Sequence, residues 1–480
     1  MRTRHLIFRG LPQWLGVALA ILASATARPP NFVVLLCDNL GYGDIGPFGS
    51  TVHRTPNLDR MAQEGVKLTH LYSASGVCTP SRAALMTGCY PRRVNLHLNA
   101  RGGAVLQPIE PIGLHPAETT VAEVLKLCGY RTMAIGKWHL GDQAPFLPTR
   151  QGFDAYVGVP YSDDMTARPG QPWPELPLLR GETVVEAPVD RNELTRRETE
   201  EAIRFITEHR DHPFFLFVPH AMPGSTTAPF ASAAFRGKSR HGAWGDAVEE
   251  LDWSVGEILR TLRTLGIDEQ TLVFWTSDNG APRRQPPQGS NAPLGGWGYT
   301  TAEGGMRVPG IVRWPGKVPA GAVCSELVTL MDVLPTLAAL ADAPLPTVPI
   351  DGKNVWPLLA GTPGALSPHE AFYYYHLGQL QAVRSGRWKL YVAAGGSGGA
   401  GKASTAKQAG APAGALFDVV EDPRETRDVS SRHPETVARL RQYAAMAREE
   451  LGDGERAGRG QRPVGRVEQP QPLRLGQPSR

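Results

Sequence analysis

Two uninterrupted apolar runs, Phe32-Val33-Val34-Leu35-Leu36 and Phe214-Phe215-Leu216-Phe217-Val218, read as strands buried on both faces. Thr132–Ile135 and Thr271–Trp275 read as two more. Between them the period changes. Thr119–Cys128 sets Val121, Val124, Leu125 and Cys128 on one helical face and stops at Gly129. Glu193–His209 and Asp246–Leu265 are amphipathic helices, and Met331–Ala341 is helical despite Pro335. Strands alternating with helices predict an α/β sheet covered on both faces.

After about Ala365 the pattern changes again. Ala382–Tyr391 and Leu416–Val419 look like antiparallel strands of a smaller sheet, separated by a Gly/Ala/Ser/Lys-rich stretch, Gly395–Gly414, expected to be a mobile loop. Residues 452–480 are rich in Gly, Arg, Gln and Pro and are expected to be disordered. The expected division is a signal segment at 1–27, a catalytic domain at 28–365, a C-terminal subdomain at 366–451 and a tail at 452–480.

A chain of 480 residues with a net charge of +4 has room for a large core, and its scattered basic residues give no argument for nucleic acid. Met1–Ala27 has a basic start (Arg2, Arg4, Arg9), an apolar stretch at Leu15–Leu22 and a small-residue site at Ala25-Thr26-Ala27, the layout of a cleaved secretory signal. No later run is long and apolar enough to cross a membrane, so a secreted or periplasmic protein is expected. The five cysteines show no metal-ligand spacing, and Cys37 and Cys128 read as buried thiols.

Polar residues cluster where the predicted strands end: Asp38-Asn39, Lys137 and His139, His220, and Asp278-Asn279. In open α/β sheets ligands bind just outside the carboxyl ends of strands, so these residues predict one cleft. Asp38, Asn39, Asp278 and Asn279 offer only oxygen, which suits a hard cation such as Ca²⁺ or Mg²⁺ rather than zinc. Cys78-Thr79-Pro80-Ser81-Arg82 opens a short apolar segment ending at Gly88. Pro80 suits a first helical turn and Gly88 a helix end, so Cys78 stands at a helix mouth, where backbone N–H groups favour anions.

Cys-Thr-Pro-Ser-Arg followed by Ala-Ala-Leu-Met-Thr-Gly resembles the signature of the type I sulfatases, the arylsulfatase family. Four further motifs occur in the family's order: Asp38–Asp44, Gly136-Lys137-Trp138-His139-Leu140-Gly141, Ser277-Asp278-Asn279-Gly280 and Glu303–Pro309. The resemblance spans about Pro30 to Pro423. It implies an alkaline-phosphatase-like fold, with a large mixed sheet flanked by helices and a smaller C-terminal antiparallel sheet. It also implies oxidation of Cys78 to formylglycine by a formylglycine-generating enzyme, and hydrolysis of a sulfate-ester substrate by the aldehyde hydrate. Arg82 would then partner the formylglycine hydroxyl, Lys137 bind sulfate and hydrate, and His139 orient and deprotonate the hydrate. Ser162 matches a serine near the hydrate, His220 a residue of the substrate side, and Asp38, Asn39, Asp278 and Asn279 the calcium ligands.

Three positions depart from the pattern. Asn39 stands where the family generally has Asp. Gly224 ends His220-Ala221-Met222-Pro223-Gly224 where a histidine is expected. Gly298 falls opposite the lysine of Lys-Gly-Thr-Thr-x-Glu-Gly-Gly. The nucleophile side is therefore intact and the leaving-group side thinned. Arg283, Arg284 and His220 are candidate substitutes, although Arg283-Arg284 also reads as a solvated turn. A working sulfatase is the reading favoured by the intact maturation motif. The alternatives are an impaired homologue that binds sulfated ligands and a related phosphoesterase; the His/Asp set of a two-zinc phosphatase is missing.

Overall fold

The computed structural model describes residues 28–285, 287–395 and 410–476. The predicted signal segment and most of the Gly395–Gly414 stretch lie outside them. The apolar runs form the middle of an eleven-stranded mixed sheet. Its parallel centre holds β1 (Asn31–Asp38), β4 (Arg131–Ile135), β5 (Ala155–Gly158), β8 (Phe214–Pro223) and β9 (Thr271–Ser277), in the spatial order β9-β1-β8-β4-β5. Beyond β9, β10 (Arg307–Arg313) runs antiparallel, and β2 (Val66–Tyr72) is antiparallel to β10. β2 therefore points the same way as the central strands. β11 (Ala322–Cys324) and β12 (Val328–Thr329) pair with β2, while β6 (Leu178–Arg180) and β7 (Thr183–Glu186) finish the far edge.

Alternation along β1 splits the core into two layers. Phe32, Val34 and Leu36 join a cluster with α2 (Cys78–Thr87), α3 (Val121–Leu127) and α7 (Val333–Leu340). Val33, Leu35 and Cys37 join one with α1 (Pro56–Gln63), α4 (Leu194–Glu208) and α5 (Gly242–Thr264). A third cluster joins the large sheet to the small one, made of β13 (Phe372–His376), β14 (Gln379–Ser385), β15 (Trp388–Tyr391) and β16 (Leu416–Asp418) and covered by α9 (Pro434–Glu450).

The segment after Leu451 corrects one expectation. Up to residue 476 it is not a disordered tail but a strap across the catalytic domain. β19 (Gly465–Arg466) pairs with β3 (Ile112–Gly113), Arg462 holds Glu118 through two bonds of 2.8 and 2.7 Å, and Leu473 is buried. Composition gave the wrong answer because this segment is fastened by hydrogen bonds to distant residues rather than by an apolar core of its own. No helix of the described residues is long and apolar enough to cross a membrane.

Candidate active site

Five parallel-running strands deliver their carboxyl ends to one place. β1 ends in Asp38 and Asn39, β4 leads to Lys137 and His139, β8 to Gly224 and Ser225, and β9 to Asp278 and Asn279. β2 leads through Ser73–Val77 into α2, whose first residue is Cys78. All ten residues of α2 are buried, Gly88 closes it in a left-handed conformation, and Val77 gives no side-chain cap. Pro80 has no N–H and the Ser81 N–H bonds the Val77 carbonyl at 3.3 Å, which leaves Cys78 and Thr79 to offer N–H groups at the mouth, where an anion is favoured.

Cys78 Sγ lies 3.1 Å from Asp38 Oδ1 and 3.7 Å from Asn39 Oδ1. Burial first, then the Asp38 charge, raises its thiol well above the usual range, so as a cysteine it is protonated and inert. Lys137 Nζ donates to Asp38 Oδ2 at 2.8 Å and to Ser162 Oγ at 3.2 Å. Arg82 donates to Asp278 Oδ2 from Nε at 2.9 Å, with NH2 at 2.8 Å. Burial alone would raise Asp38, but Lys137 and Arg82 outweigh it and hold the carboxylate down at about 2. Burial and the neighbouring Asp38 push Asp278 up to about 7. Two buried carboxylates are thus balanced by two buried cations, and the Asp38–Asp278 repulsion is of the kind a metal ion relieves.

The donor set fits such an ion. Ligand atoms of Asp38, Cys78 and Asp278 lie within 4.8 Å of one another. The Asn279 Oδ1 is buried without a hydrogen-bond partner, and Asn39 Oδ1 stands 2.6 Å from Asn279 Nδ2. Carboxylate and amide oxygens together suit a hard cation.

His139 is buried, and its Nε2 lies 3.0 Å from the carbonyl oxygen of Leu106. That acceptor fixes the proton on Nε2 and leaves the lone pair on Nδ1, which has no protein partner. Burial, with Lys137 and Arg82 nearby, drives the imidazole well below its ordinary range, so it is neutral. Asn39 (φ 60°), His139 (φ 62°) and Tyr299 (φ 69°) adopt left-handed backbone conformations. Such strain clusters at functional sites.

Two expectations are corrected. His220 does not reach this cleft: its Nδ1 is 2.6 Å from Glu198 and its Nε2 3.3 Å from Ser254, both on the helices behind β8. Arg283 is exposed, but Arg284 is no solvated turn residue. It is buried, donates to the Gly224 carbonyl at 2.7 Å and lies over the Trp244 ring. Three further residues of the site went unread in the sequence. Ser225 Oγ accepts from Asn39 Nδ2 at 3.2 Å and from Ser162 Oγ at 3.4 Å. Asp163 is wholly buried, accepts from the Ser225 N–H at 3.2 Å and is pushed by burial, with Asp164 and Asp38, to about 7. Tyr299, on the opposite loop, donates its N–H to the Gly76 carbonyl at 2.9 Å.

Neither glycine departure is a simple deletion. A Cβ at Gly224 (φ 75°) would lie 2.6 Å from Asp163 Oδ1, and one at Gly298 would lie 2.2 Å from the Gly280 carbonyl oxygen. Neighbouring atoms occupy both places.

Buried cations beside carboxylate and amide oxygens at a helix mouth, on an α/β sheet, are suited to an anionic ester. The Sulfatase family profile matches residues 30–343, and the profile of the C-terminal region of aryl-sulfatase matches 367–463. The chain is 37% identical to steryl-sulfatase of Mus musculus, covering 88% of this chain and 81% of that one. It is also 37% identical to arylsulfatase A of Homo sapiens, covering 91% of each. Among solved structures, the PsFucS1 sulfatase from Pseudoalteromonas sp. superposes with a TM-score of 0.76 at 27% identity, covering 90% of this chain and 92% of that one. The chain belongs to the sulfatase family, and it is a sulfuric ester hydrolase.

Proposed function

We propose that this chain hydrolyses sulfate monoesters through a formylglycine hydrate made from Cys78, with Ca²⁺ held by Asp38, Asn39, Asp278 and Asn279; Mg²⁺ suits the same oxygens. One observation carries the reading: Cys78 stands at the mouth of α2 with its Sγ 3.1 Å from Asp38, in a cluster with Asp38 and Asp278 whose ligand atoms lie within 4.8 Å of one another. Cys78 Sγ there stands in for the hydrate oxygens. The hydrate supplies an oxygen nucleophile with a second hydroxyl through which sulfate is later expelled, and the cation polarises a sulfate oxygen.

The protein's own groups do the rest. Lys137, fixed between Asp38 and Ser162, presents its ammonium to the sulfate. Arg82, locked by Asp278, holds its charge beside the nucleophile position without reorganising as negative charge develops. His139 accepts a proton at Nδ1 and is fitted to do so because it is neutral and its tautomer is fixed. On the leaving-group side Gly224 and Gly298 offer no side chain. General acid assistance is typically worth about 10²–10⁴-fold, and it matters least for oxygens that depart readily as anions. Activated aryl sulfates are therefore the preferred substrates over sulfated sugars. Residues 1–27 export the protein, and a formylglycine-generating enzyme acts on it during maturation.

The test is hydrolysis of p-nitrophenyl sulfate by protein co-expressed with a formylglycine-generating enzyme, beside Cys78→Ala. Turnover that disappears in the variant supports the reading. Absence of turnover with Cys78 confirmed as converted overturns it in favour of a sulfate-ester binder.

A further inference from the structure

We infer that Arg284 is a substrate-contacting residue, its guanidinium donating to sulfate-ester oxygens on the side of the cleft lined by Gly224. The inference rests on the sulfatase reading and adds a residue to it.

A buried cation needs a counter-charge. Arg284 is 8% exposed, yet among the described residues its guanidinium makes one hydrogen bond, from Nη2 to the Gly224 carbonyl at 2.7 Å, and no ion pair. A guanidinium carries five N–H donors. The Nε of Arg284 is enclosed without a partner. Other buried arginines are matched to carboxylates: Arg82 to Asp278, Arg93 to Asp351 and Arg313 to Asp268, each within 2.8 Å.

The side chain is held rather than loose. It lies over the ring of Trp244, 5.5 Å from the ring centre, and Trp244 is itself buried at the start of α5. The loop that carries Arg284 is clamped at its base. Gly298 N–H donates to the Ala281 carbonyl at 2.8 Å, and the Asn291 side chain bonds both the N–H and the carbonyl of Ala281 at 2.9 Å. Gln288 Nε2 donates to the Thr227 carbonyl at 2.6 Å, so the loop is fastened to the segment after β8 at two points.

From Gly224 the route to the reacting centre is short. Gly224 N–H donates to the Asp38 carbonyl at 3.1 Å. The next residue, Ser225, bonds Asn39 and Ser162, and Ser162 accepts from Lys137. An unmatched guanidinium thus stands beside a cleft suited to an anionic ester, and the ester brings the charge it lacks. A guanidinium offers charge and N–H groups, not a transferable proton. Arg284 therefore steadies negative charge on the ester oxygens and leaves the dependence on leaving-group acidity steep.

Arg284→Gln, which keeps an N–H for the Gly224 carbonyl and removes the charge, tests this beside Arg284→Lys, which keeps the charge and loses the planar fork. A hydrogen bond to a charged group is worth about tenfold to a hundredfold. Arg284→Gln in the matured enzyme should lower kcat/KM for p-nitrophenyl sulfate by that factor, and Arg284→Lys by less. Binding of inorganic sulfate and of p-nitrophenyl sulfate to Cys78→Ala should weaken similarly when Arg284→Gln is added. The melting temperature without ligand should stay level or rise, because an unmatched buried charge is gone. Equal binding by the two Cys78→Ala proteins would overturn the inference, as would unchanged kcat/KM in Arg284→Gln. A lower melting temperature with unchanged binding would make Arg284 a tether of its loop and overturn it too. Weakened binding in a protein that turns nothing over would uphold the contact while the catalytic reading fails.

Discussion

Asn39 puts an amide where a third carboxylate would add charge beside Asp38 and Asp278. With Lys137 and Arg82 balancing those two, a bound dication leaves the site with surplus positive charge facing the sulfate. That favours the anion and weakens hold on the metal, since ligand charge tunes affinity for hard cations. Asn39→Asp should therefore bind Ca²⁺ at least about tenfold more tightly, read as a larger calcium-induced rise in melting temperature and slower loss to chelator. Equal calcium dependence in the two proteins would show that Asn39 does not ligate. His220 gives the opposite case. His220→Gln should cost about 1–3 kcal/mol of stability through the lost Glu198 and Ser254 bonds and leave KM for p-nitrophenyl sulfate within about twofold, measured by melting and by kinetics side by side. These two residues also show what the sequence could reveal. Asp38, Cys78, Lys137 and Asp278 lie in motifs whose spacing announces them. His220 lies in one too, but its ring points behind the sheet, and strand parity beyond an apolar run cannot be read with certainty. Tyr299, Ser225 and Asp163 were invisible because a positive φ and a bond across two loops leave no mark in composition or period.

Strap and helix act together at the scale of elements. β19 pairs with β3, and the loop before β3 supplies the Leu106 carbonyl that fixes His139. Leu106 N–H in turn donates to Thr79 Oγ1 at 3.2 Å, on the first turn of α2. The C-terminal strap therefore reaches the base and the nucleophile through one loop. Arg462→Ala leaves Glu118 buried without its cation and should cost about 3–5 kcal/mol. Faster hydrogen exchange should follow across residues 95–115, with a fall in kcat larger than any rise in KM. Unaltered exchange in that loop would mean that the strap only stabilises the surface. The long apolar strands β1 and β8 were legible because both of their faces are buried. β2 was not, because Lys67 and Thr69 interrupt Val66, Leu68 and Leu71, and its pairing with β10 is set by residues far along the chain.

For the molecule as a whole, Glu303 is the hinge pin between the two sheets. It accepts from Tyr72 of the large sheet, from Tyr374 at 2.9 Å and from Lys389 at 3.1 Å in the small one. The alternation of strands and helices announced a covered α/β sheet and a separate small sheet, yet nothing in the sequence showed that one wholly buried carboxylate joins them. Its titration has a consequence for stability. Burial would raise Glu303, but Lys389, Arg384 and Arg307 overcome this and lower it to about 2. A carboxylate depressed in the folded state contributes stability above its unfolded value of about 4.3 and loses it as pH falls towards 2. Asp44, Asp142 and Asp252 work in the other direction. Burial raises them to about 7, about 6 and about 6. Each contributes stability that is complete below its unfolded value of about 3.9 and disappears as pH rises through its folded one. Both groups together predict a melting temperature highest at about pH 3–4, falling on the acid side as Glu303 takes up its proton and further towards pH 7 as the three aspartates ionise in the unfolded chain but not in the folded one. Thermal melts of the calcium-loaded protein across that range check it. A maximum at pH 7 or above would mean that these buried carboxylates ionise without cost, and that the enclosure described for Asp44, Asp142 and Asp252 is not what sets their charge.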